Sequence, residues 1–411
     1  MNVASTDTRY KRVLTTKDLI LLGLSMTIGS GIFVLIDDVA KYSKNLVWLS
    51  FVLAGVIGLL TAMGYGELSS IFKNNMGEAD YIRSVTNDKI AHIMGICILI
   101  SDIFIISTVA LGLGNYLSKL FGINVQILAI MSIIALNYFN YLGIRLSVNV
   151  SNAMLYIKLV VIFLIVIICF TKYSPTEPIF SVQNGDSYGL STASLIALFA
   201  YLGFNNMTNF SEETIDPGRT IGKSMTYTVI IVTIIYTLVA FAALFVLNST
   251  ELSQTTTPLA TITEKMFGSY GYILFIILAI ISLSDTLLVS SVSESRYMHS
   301  FFSHINQNYG QADMDQHHKT PYLSIIVLVI MSIILIAIFK NIGATAIYGD
   351  LLILIVFIIV NLIVIILRYK HPEMERKYQV PFNIGKIPVP SVIAIILGCY
   401  TIYKYIGHVF Q

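Results

Sequence analysis

A long apolar run near the start of this chain is interrupted at Thr27-Ile28-Gly29-Ser30-Gly31-Ile32-Phe33. Two glycines flank a serine where a helix crossing lipid should run on. In the hydrocarbon layer every backbone N–H and C=O needs an internal partner, so a break is tolerated only where it is buried in protein or lines a cavity. A second break, Ala200-Tyr201-Leu202-Gly203-Phe204, stands where an inverted repeat would put its counterpart. Gly-interrupted segments in corresponding halves of a chain point to a ligand site near the bilayer midplane, as in secondary transporters.

The surrounding sequence makes lipid the solvent. Hydrophobic residues are 56% of the chain, charged residues 12%, and mean hydropathy is +0.79. Soluble domains are about one quarter charged. The apolar runs recur at lengths of roughly 20 residues, enough for a helix to cross a ~30 Å hydrocarbon core. The fold class is therefore an all-α polytopic membrane protein. A net charge of +2 gives no reason to expect a nucleic-acid partner. Cys97, Cys169 and Cys399 all fall in apolar runs, so no disulfide framework is expected. The seven histidines fall in loops or at run ends with no metal-ligand spacing, so neither a metal nor a cofactor is expected. Met1–Lys17 is polar and basic, which does not fit a cleavable signal peptide.

Eleven spans are expected, at about 18–38, 46–72, 90–118, 123–143, 148–171, 190–212, 223–248, 270–299, 320–339, 343–367 and 388–407. With the N-terminus inside, seventeen of the 25 Lys and Arg fall on cytoplasmic ends or loops. Arg9, Lys11, Arg12, Lys17, Arg368, Lys370, Arg376 and Lys377 are among them, and the bias follows the positive-inside rule. Residues 1–17 then form a cytoplasmic tail, 18–171 a first inverted repeat of five spans, and 190–367 a second. Residues 388–411 add span 11 and the C-terminus.

A helix that stops and restarts leaves free C=O groups at one end and free N–H groups at the other. The first attract ammonium groups, the second carboxylates. A zwitterionic amino acid matches both at once. The alternative, a small-residue helix contact of the GxxxG kind, has a different spacing and does not require a second break. Lys158 lies about ten residues into span 5, roughly 15 Å deep at 1.5 Å per residue. Snorkelling from that depth is hard, so the ammonium needs a partner. Asp102 in span 3, Asp285 in span 8 and Asp350 in span 10 are intramembrane acids. Asp285 is the candidate partner of Lys158, and Asp102 the candidate contact for a cationic side chain. Asp350 lies near the outer end of its span, where water reaches it. Three acids against one lysine leave the interior short of positive charge, which a cationic substrate, a proton or both would supply. Glu67, Glu212, Glu213, Arg145, Arg219 and Arg296 sit at cytoplasmic ends, as helix-end anchors or as an inner gate.

The string FAYLGFNNMTNFSEETIDPGR, Phe199 to Arg219, resembles the sixth span of the amino acid–polyamine–organocation superfamily, and in particular the L-type amino acid transporter light chains. Gly29–Phe33 resembles the family's first span. Gly64-Tyr65-Gly66-Glu67-Leu68 resembles the end of its second. Arg368-Tyr369-Lys370-His371-Pro372-Glu373, with Arg376 and Val380-Pro381-Phe382, resembles the linker after its tenth. The resemblance covers nearly the whole chain in the family's order. It implies the broken-helix, five-plus-five inverted-repeat transporter fold. It implies a substrate carboxylate on the N–H groups of Ser30 and Gly31, and an ammonium on the carbonyls of Thr27, Phe199 and Leu202. Phe199 would be the outer aromatic gate. Phe204 and Asn205 would touch the substrate side chain. Leu202 stands where many relatives have a smaller residue. Lys158 would occupy the sodium site of sodium-coupled members, as an internal cation or proton carrier.

The function so implied is sodium-independent amino acid transport, by exchange or proton coupling, in a multi-pass protein of the cell membrane. A polyamine or cationic amino acid carrier is the alternative, and a channel a remote one, since broken helices fit alternating access better than a continuous pore. No nucleophile–base or metal constellation marks an enzyme. Residues 118–124 hold no cysteine where the light chains carry one, so no disulfide-linked heavy chain is expected. The chain ends after eleven spans, where relatives usually have twelve.

Overall fold

The computed structural model describes residues 12–175, 177–180, 186–255, 257–315, 317–339 and 342–409. Arg9 and Lys11 of the basic tail, and the side chain of Asp350, lie outside the described residues. The first helix, α1 (Thr16–Thr27), opens with a capping box: the Asp18 N–H donates to the Thr15 hydroxyl, and the Thr15 N–H donates to the Asp18 carboxylate at 2.9 Å. After a break come α2 (Ser30–Val34) and α3 (Ile36–Ser43). Together they form the first span, which runs past the expected residue 38. Lys41 pairs with Asp38 at 2.5 Å and Asp37 at 3.7 Å, so the last turn continues as polar helix beyond the apolar run.

Next come α4 (Val47–Ile71), the short α5 (Glu78–Val85), α6 (Asp88–Phe121), α7 (Val125–Tyr141) and α8 (Ile144–Lys172). Asn87 caps α6 by accepting from the Ile90 N–H, and Gly122 ends it with φ of 69°. The second half opens with α9 (Asp186–Phe199), a turn, and a 3-10 helix at Asn205–Glu213. It continues with α10 (Pro217–Val246), which has proline in its first turn, and with the short helices α11 (Ser249–Gln254) and α12 (Pro258–Phe267). Then follow α13 (Ser269–Ile305), α14 (Gln307–Asp313), α15 (Tyr322–Ile338), α16 (Ile342–Lys370) and α17 (Val389–Val409). The one paired sheet among the described residues is a two-residue hairpin, Asn383–Ile384 against Ile387–Pro388, in the linker before α17.

Among the described residues seven helical stretches are long and apolar enough to cross a membrane, and four more are apolar but shorter. They overlap the eleven expected spans one for one, but the bounds differ: the second stretch, Ile36–Ile71, takes in α3 with α4, and the sixth ends at Phe199, where the helix breaks, not at 212. The chain is an all-α polytopic membrane protein. At 34 and 37 residues, α6 and α13 are on the order of 50 Å long, so their ends project beyond a ~30 Å hydrocarbon core.

Helices that are apolar all round are sorted by where their few polar groups go. On α8, Ile157, Val160, Leu164 and Ile167 are exposed to lipid, while Leu155, Lys158, Ile162, Val166 and Cys169 are buried at helical spacing. That phase turns Lys158 into the bundle. The broken first span sits at the centre, packed on α8, α10 and α13, and the 3-10 helix packs on α10 and α13.

Two segments far apart in sequence are clamped at the end of the bundle that carries the N-terminus. The buried Glu67 of α4 takes a two-pronged contact from Arg368, with Nε donating to Oε1 at 2.8 Å and Nη2 donating to Oε2. Arg376 Nε lies 3.3 Å from Oε1, and the Val380 N–H donates to Oε2 at 2.9 Å. One carboxylate thus ties the 371–388 linker to the second span. Glu67→Gln leaves two guanidinium groups without their charge partner and should destabilise the clamp by about 3 kcal/mol. Limited proteolysis at Arg376 and Lys377 in detergent should accelerate. Cleavage at the wild-type rate would show that the clamp does not hold the linker.

Candidate functional site

Both sequence breaks are breaks in the helices. The first lies at Ile28-Gly29, where Ile28 has φ of −80° and ψ of 89° and its N–H closes back on Leu24 O at 2.8 Å. The second follows Phe199. There the N–H groups of Ala200, Tyr201 and Leu202 bond three residues back, to Ala197, Leu198 and Phe199, and the chain reverses at Gly203 with φ of 113°. Only glycine adopts that backbone without strain.

The two breaks pack against each other. A Cβ on Gly31 would lie 2.2 Å from Cα and Cβ of Ala200, and one on Gly203 would lie 3.0 Å from Cβ of Met26. Gly29 is equally close to Thr286 of α13, whose Oγ1 would sit 2.0 Å from an added Cβ. Backbone meets backbone here because no side chain stands between.

Each carbonyl freed at the end of α1 needs a donor in a place without bulk water. Lys158 Nζ donates to Ile28 O at 2.6 Å and to Ser25 O at 3.3 Å. Thr286 donates to Ser25 O at 2.8 Å, and Ser282 to Ile28 O at 3.4 Å. The Tyr236 hydroxyl of α10 sits between the two breaks, 2.6 Å from Thr27 O and 3.0 Å from Ala200 O. Across the gap, Gly31 and Ile32 in the first turn of α2 find no acceptor for their N–H groups among the described residues.

Lys158 is fully buried, and Asp285 Oδ2 lies 2.7 Å from its ammonium. Ser151 donates to the other carboxylate oxygen at 2.5 Å. The ammonium hydrogen-bonds Ile28 and Ser25 and lies against the Asp285 carboxylate as an ion pair.

Of the residues expected to line the site, Phe199, Leu202, Phe204 and Asn205 are all buried at the second break. Phe204 packs with Tyr65 and Phe357 at ring distances of 6.1 and 5.5 Å. Asn205 donates to Glu78 Oε1 at 3.4 Å and to Asn206 Oδ1 at 2.6 Å. The Phe199 carbonyl accepts from the Leu202 N–H at 3.0 Å, and the Thr27 carbonyl accepts from Tyr236. Both oxygens have a second lone pair free for a ligand.

At the end of the bundle that carries the N-terminus, buried Arg296 of α13 donates from Nε to Glu213 Oε2 at 3.1 Å and from Nη1 to Val292 O at 2.9 Å. Glu212 does not join that pair; it accepts from the Asn75 N–H at 3.3 Å. Arg145 and Arg219 form no ion pair among the described residues.

Two acids escaped the sequence reading. Glu294 of α13 is fully buried beside Asp102 of α6, and its two oxygens have no donor. Glu78 of α5 is buried near both and accepts from Tyr65 at 2.8 Å. Burial pushes the Glu78 carboxyl above the usual carboxylate range. Glu294 was hidden in Ser290–Arg296, a polar stretch that reads as the end of a helix. Glu78 was hidden in a short connection. Asn205 donates to Glu78 as well as to Asn206, so Glu78 abuts the second break.

The profile of the amino acid permease family matches residues 14–406. The branched-chain amino acid permease of Bacillus subtilis (strain 168) is 24% identical over 435 residues, covering 96% of this chain and 90% of that protein. The methylthioribose transporter of the same organism is 25% identical over 431 residues, covering 96% and 89%. Cationic amino acid transporter 1 of Arabidopsis thaliana is 25% identical over 388 residues, covering 87% of this chain and 63% of that protein. These relatives are permeases and transporters, not enzymes.

Removing either half of the Lys158–Asp285 pair leaves the other as an uncompensated buried charge. Lys158→Met and Asp285→Asn should each destabilise by about 3–5 kcal/mol. The double variant should lose clearly less than the sum, with a coupling of about 1–3 kcal/mol. Thermal unfolding in detergent measures the cycle, and additive losses would mean that the two groups do not act as a pair.

Proposed function

The chain belongs to the amino acid permease family, and we propose that it carries amino acids across the cell membrane by alternating access, without sodium. The observation that supports this best is the pair of broken helices packed face to face at the centre of the bundle. A zwitterion is the ligand whose two charges match them. In this reading the N–H groups of Ser30 and Gly31 hold the carboxylate, and the carbonyls of Thr27, Phe199 and Leu202 hold the ammonium. Phe199 closes the outer side, while Phe204 and Asn205 meet the substrate side chain. Because Gly31 rests on Ala200, a substrate enters only as the two breaks part, which links binding to a change of shape.

Lys158 serves as a fixed internal cation. Its ammonium lies among the carbonyls of Ser25 and Ile28 and the carboxylate of Asp285, oxygen ligands of the kind a sodium ion takes. Glu213 and Arg296, with Glu212 beside them, form the cytoplasmic gate. Residues 18–171 and 190–367 act as inverted repeats that rock against each other, with the N-terminus in the cytoplasm.

The relatives named above are named for different substrates, branched-chain amino acids, methylthioribose and cationic amino acids, so selectivity has to be read from this chain's own pocket. A second reading, a cationic amino acid or polyamine carrier, is favoured by one observation: Asp102, Glu294 and Glu78 are buried, the last next to the second break, with no cation among the described residues acting on them.

Labelled amino acid uptake into proteoliposomes tests both readings. Uptake should saturate, should rise when the lumen is preloaded with substrate, and should be equal in sodium and choline buffers. Linear uptake without trans-stimulation would mean a channel, and a sodium requirement would contradict the role of Lys158. Under the second reading, arginine, lysine or a polyamine would outcompete leucine. Asp102→Asn would then weaken the cationic substrates by about 1–3 kcal/mol and spare the neutral ones.

A further inference from the structure

The face of α8 that carries Ile157, Leu164 and Ile168 does not close against its neighbours. Between it and α13 runs a groove of about 340 Å³, flanked by Phe267 of α12. Leu164, Leu274 and Ile277 in its lining are exposed, so the groove continues the lipid-facing surface of α8. It covers residues 157–168 of α8 and 271–281 of α13. At 1.5 Å per residue these stretches are about 16 and 15 Å long, the depth of one leaflet of a ~30 Å hydrocarbon core. The one polar side chain in the lining, Thr263 of α12, donates its hydroxyl to Ala260 O at 2.8 Å. The groove therefore offers water no partner.

Polar groups stand at its mouth. Lys172 lies one turn beyond Ile168 on the same face of α8, is exposed, and has no ion pair among the described residues. On α13, Tyr270 stands one turn before Leu274 and is 82% exposed. Lys265 of α12 is already held by Glu251 at 2.9 Å, and the Tyr173 hydroxyl donates to the Lys265 carbonyl at 3.3 Å, which ties the end of α8 to α12. α8 starts beside Val13 and ends at Lys172, so this mouth is at the end of the bundle away from the N-terminus. An apolar slot one leaflet deep, with an unpaired ammonium at its head, matches an acyl chain that ends in a phosphate.

The inner wall of the groove is shared with the broken first span. Ile165 and Phe275 line the groove and also a smaller space behind it, bounded by Ile32 of α2 and by Val239 and Ala243 of α10. The Phe275 ring lies 5.5 Å from that of Phe33, also on α2. One aromatic side chain thus stands between the lipid-facing groove and the half of the first span that follows the break.

We propose that the groove binds one phospholipid of the leaflet away from the N-terminus, with an acyl chain between α8 and α13 and its phosphate on Lys172, and that this chain braces Phe275 against α2. Dispersion contacts along the slot hold the chain, and the ammonium selects a phosphate over an uncharged end. With the chain in place the Phe275 ring has no room to swing out; without it, the ring and α2 behind it gain that room. The proposal rests on the membrane fold and not on the amino acid reading.

The test uses the full chain, purified in detergent, and phosphatidylglycerol with a photoactivatable diazirine midway along one acyl chain. Adducts are mapped by peptide mass spectrometry. Labelling of residues 157–168 and 271–281 should saturate as the probe is raised and should fall when unlabelled phosphatidylglycerol is added. Labelling of the exposed face of α7, at Met131 and Ile134, should rise in proportion to the probe. Leu274→Trp, which fills the slot, should abolish the saturable part. Lys172→Gln, at an exposed helix end, should weaken it about fivefold, the scale of one lysine at an anionic surface. A diazirine alcohol of the same chain length should label wild type and Lys172→Gln alike. Hydrogen exchange of residues 30–35 should slow when the lipid is added, and Lys172→Gln should need about fivefold more lipid for the same slowing.

Groove labelling that tracks α7 at every probe concentration means ordinary bilayer contact and overturns the proposal. Equal phosphatidylglycerol labelling of wild type and Lys172→Gln overturns the phosphate assignment. A groove that stays unlabelled while the particle mass doubles is covered by a second copy of the chain, which overturns the proposal too. Exchange at residues 30–35 that ignores the lipid while groove labelling saturates overturns the brace. If Leu274→Trp does not fold, Lys172→Gln carries the test alone.

Discussion

Everything at the centre of this protein follows from a backbone that stops hydrogen-bonding to itself where no water can substitute. A broken helix in lipid exposes carbonyls that cost several kcal/mol each if left alone. Here four side chains from three other helices meet that need: Lys158 from α8, Tyr236 from α10, and Ser282 and Thr286 from α13. The break is thus what fastens the first span to its neighbours. The same groups that make the interruption tolerable also fix where α8, α10 and α13 lie relative to it.

Three of the arrangements of buried charge have different consequences. Glu67 with its two arginines, and Glu213 with Arg296, are ion pairs at one end of the bundle, tying distant segments together. Lys158 with Asp285 is a neutral pair that supports backbone. The acids around Asp102 are neither, since no cation among the described residues acts on them. Taking charge out of water is costly in all three places. What differs is whether the protein supplies the opposite charge itself or leaves it to be brought in.

How much of this was legible in the sequence depended on how local the cause is. The breaks were visible because glycine reports a backbone requirement at its own position: Gly31 touches Ala200, and Gly203 takes a positive φ. Lys158 was visible because a lysine in the middle of an apolar run is improbable unless something holds it, and Asp285 was one of the few acids available to do so. Tyr236 gave no signal, because a tyrosine in a membrane helix looks like any other aromatic until the two carbonyls it touches are known. Glu294 was passed over because it is flanked by serines and Arg296. It stands five residues before the expected end of the span at 299, whereas α13 runs on to Ile305. The clamp on Glu67 joins positions 301 residues apart, and two separate motifs proved to be its two halves. Glu212 and Glu213 are neighbours in sequence, yet they take different partners, since consecutive residues of the 3-10 helix that carries them point about a third of a turn apart.

That last point reaches beyond the two glutamates. The segment Asn205–Glu213 holds nine residues in 3-10 geometry, a form that is rarely sustained beyond three or four. At about 2.0 Å per residue it is some 4 Å longer than the same residues would be as an α-helix at about 1.5 Å. Its two ends are attached to different things: Gly203 to the first span, and Glu213 to Arg296. The segment can therefore act as a connecting rod of variable length. Exchanging bonds to the third residue back for bonds to the fourth would shorten it by several ångströms, with one further N–H and one further C=O left for a partner at its ends.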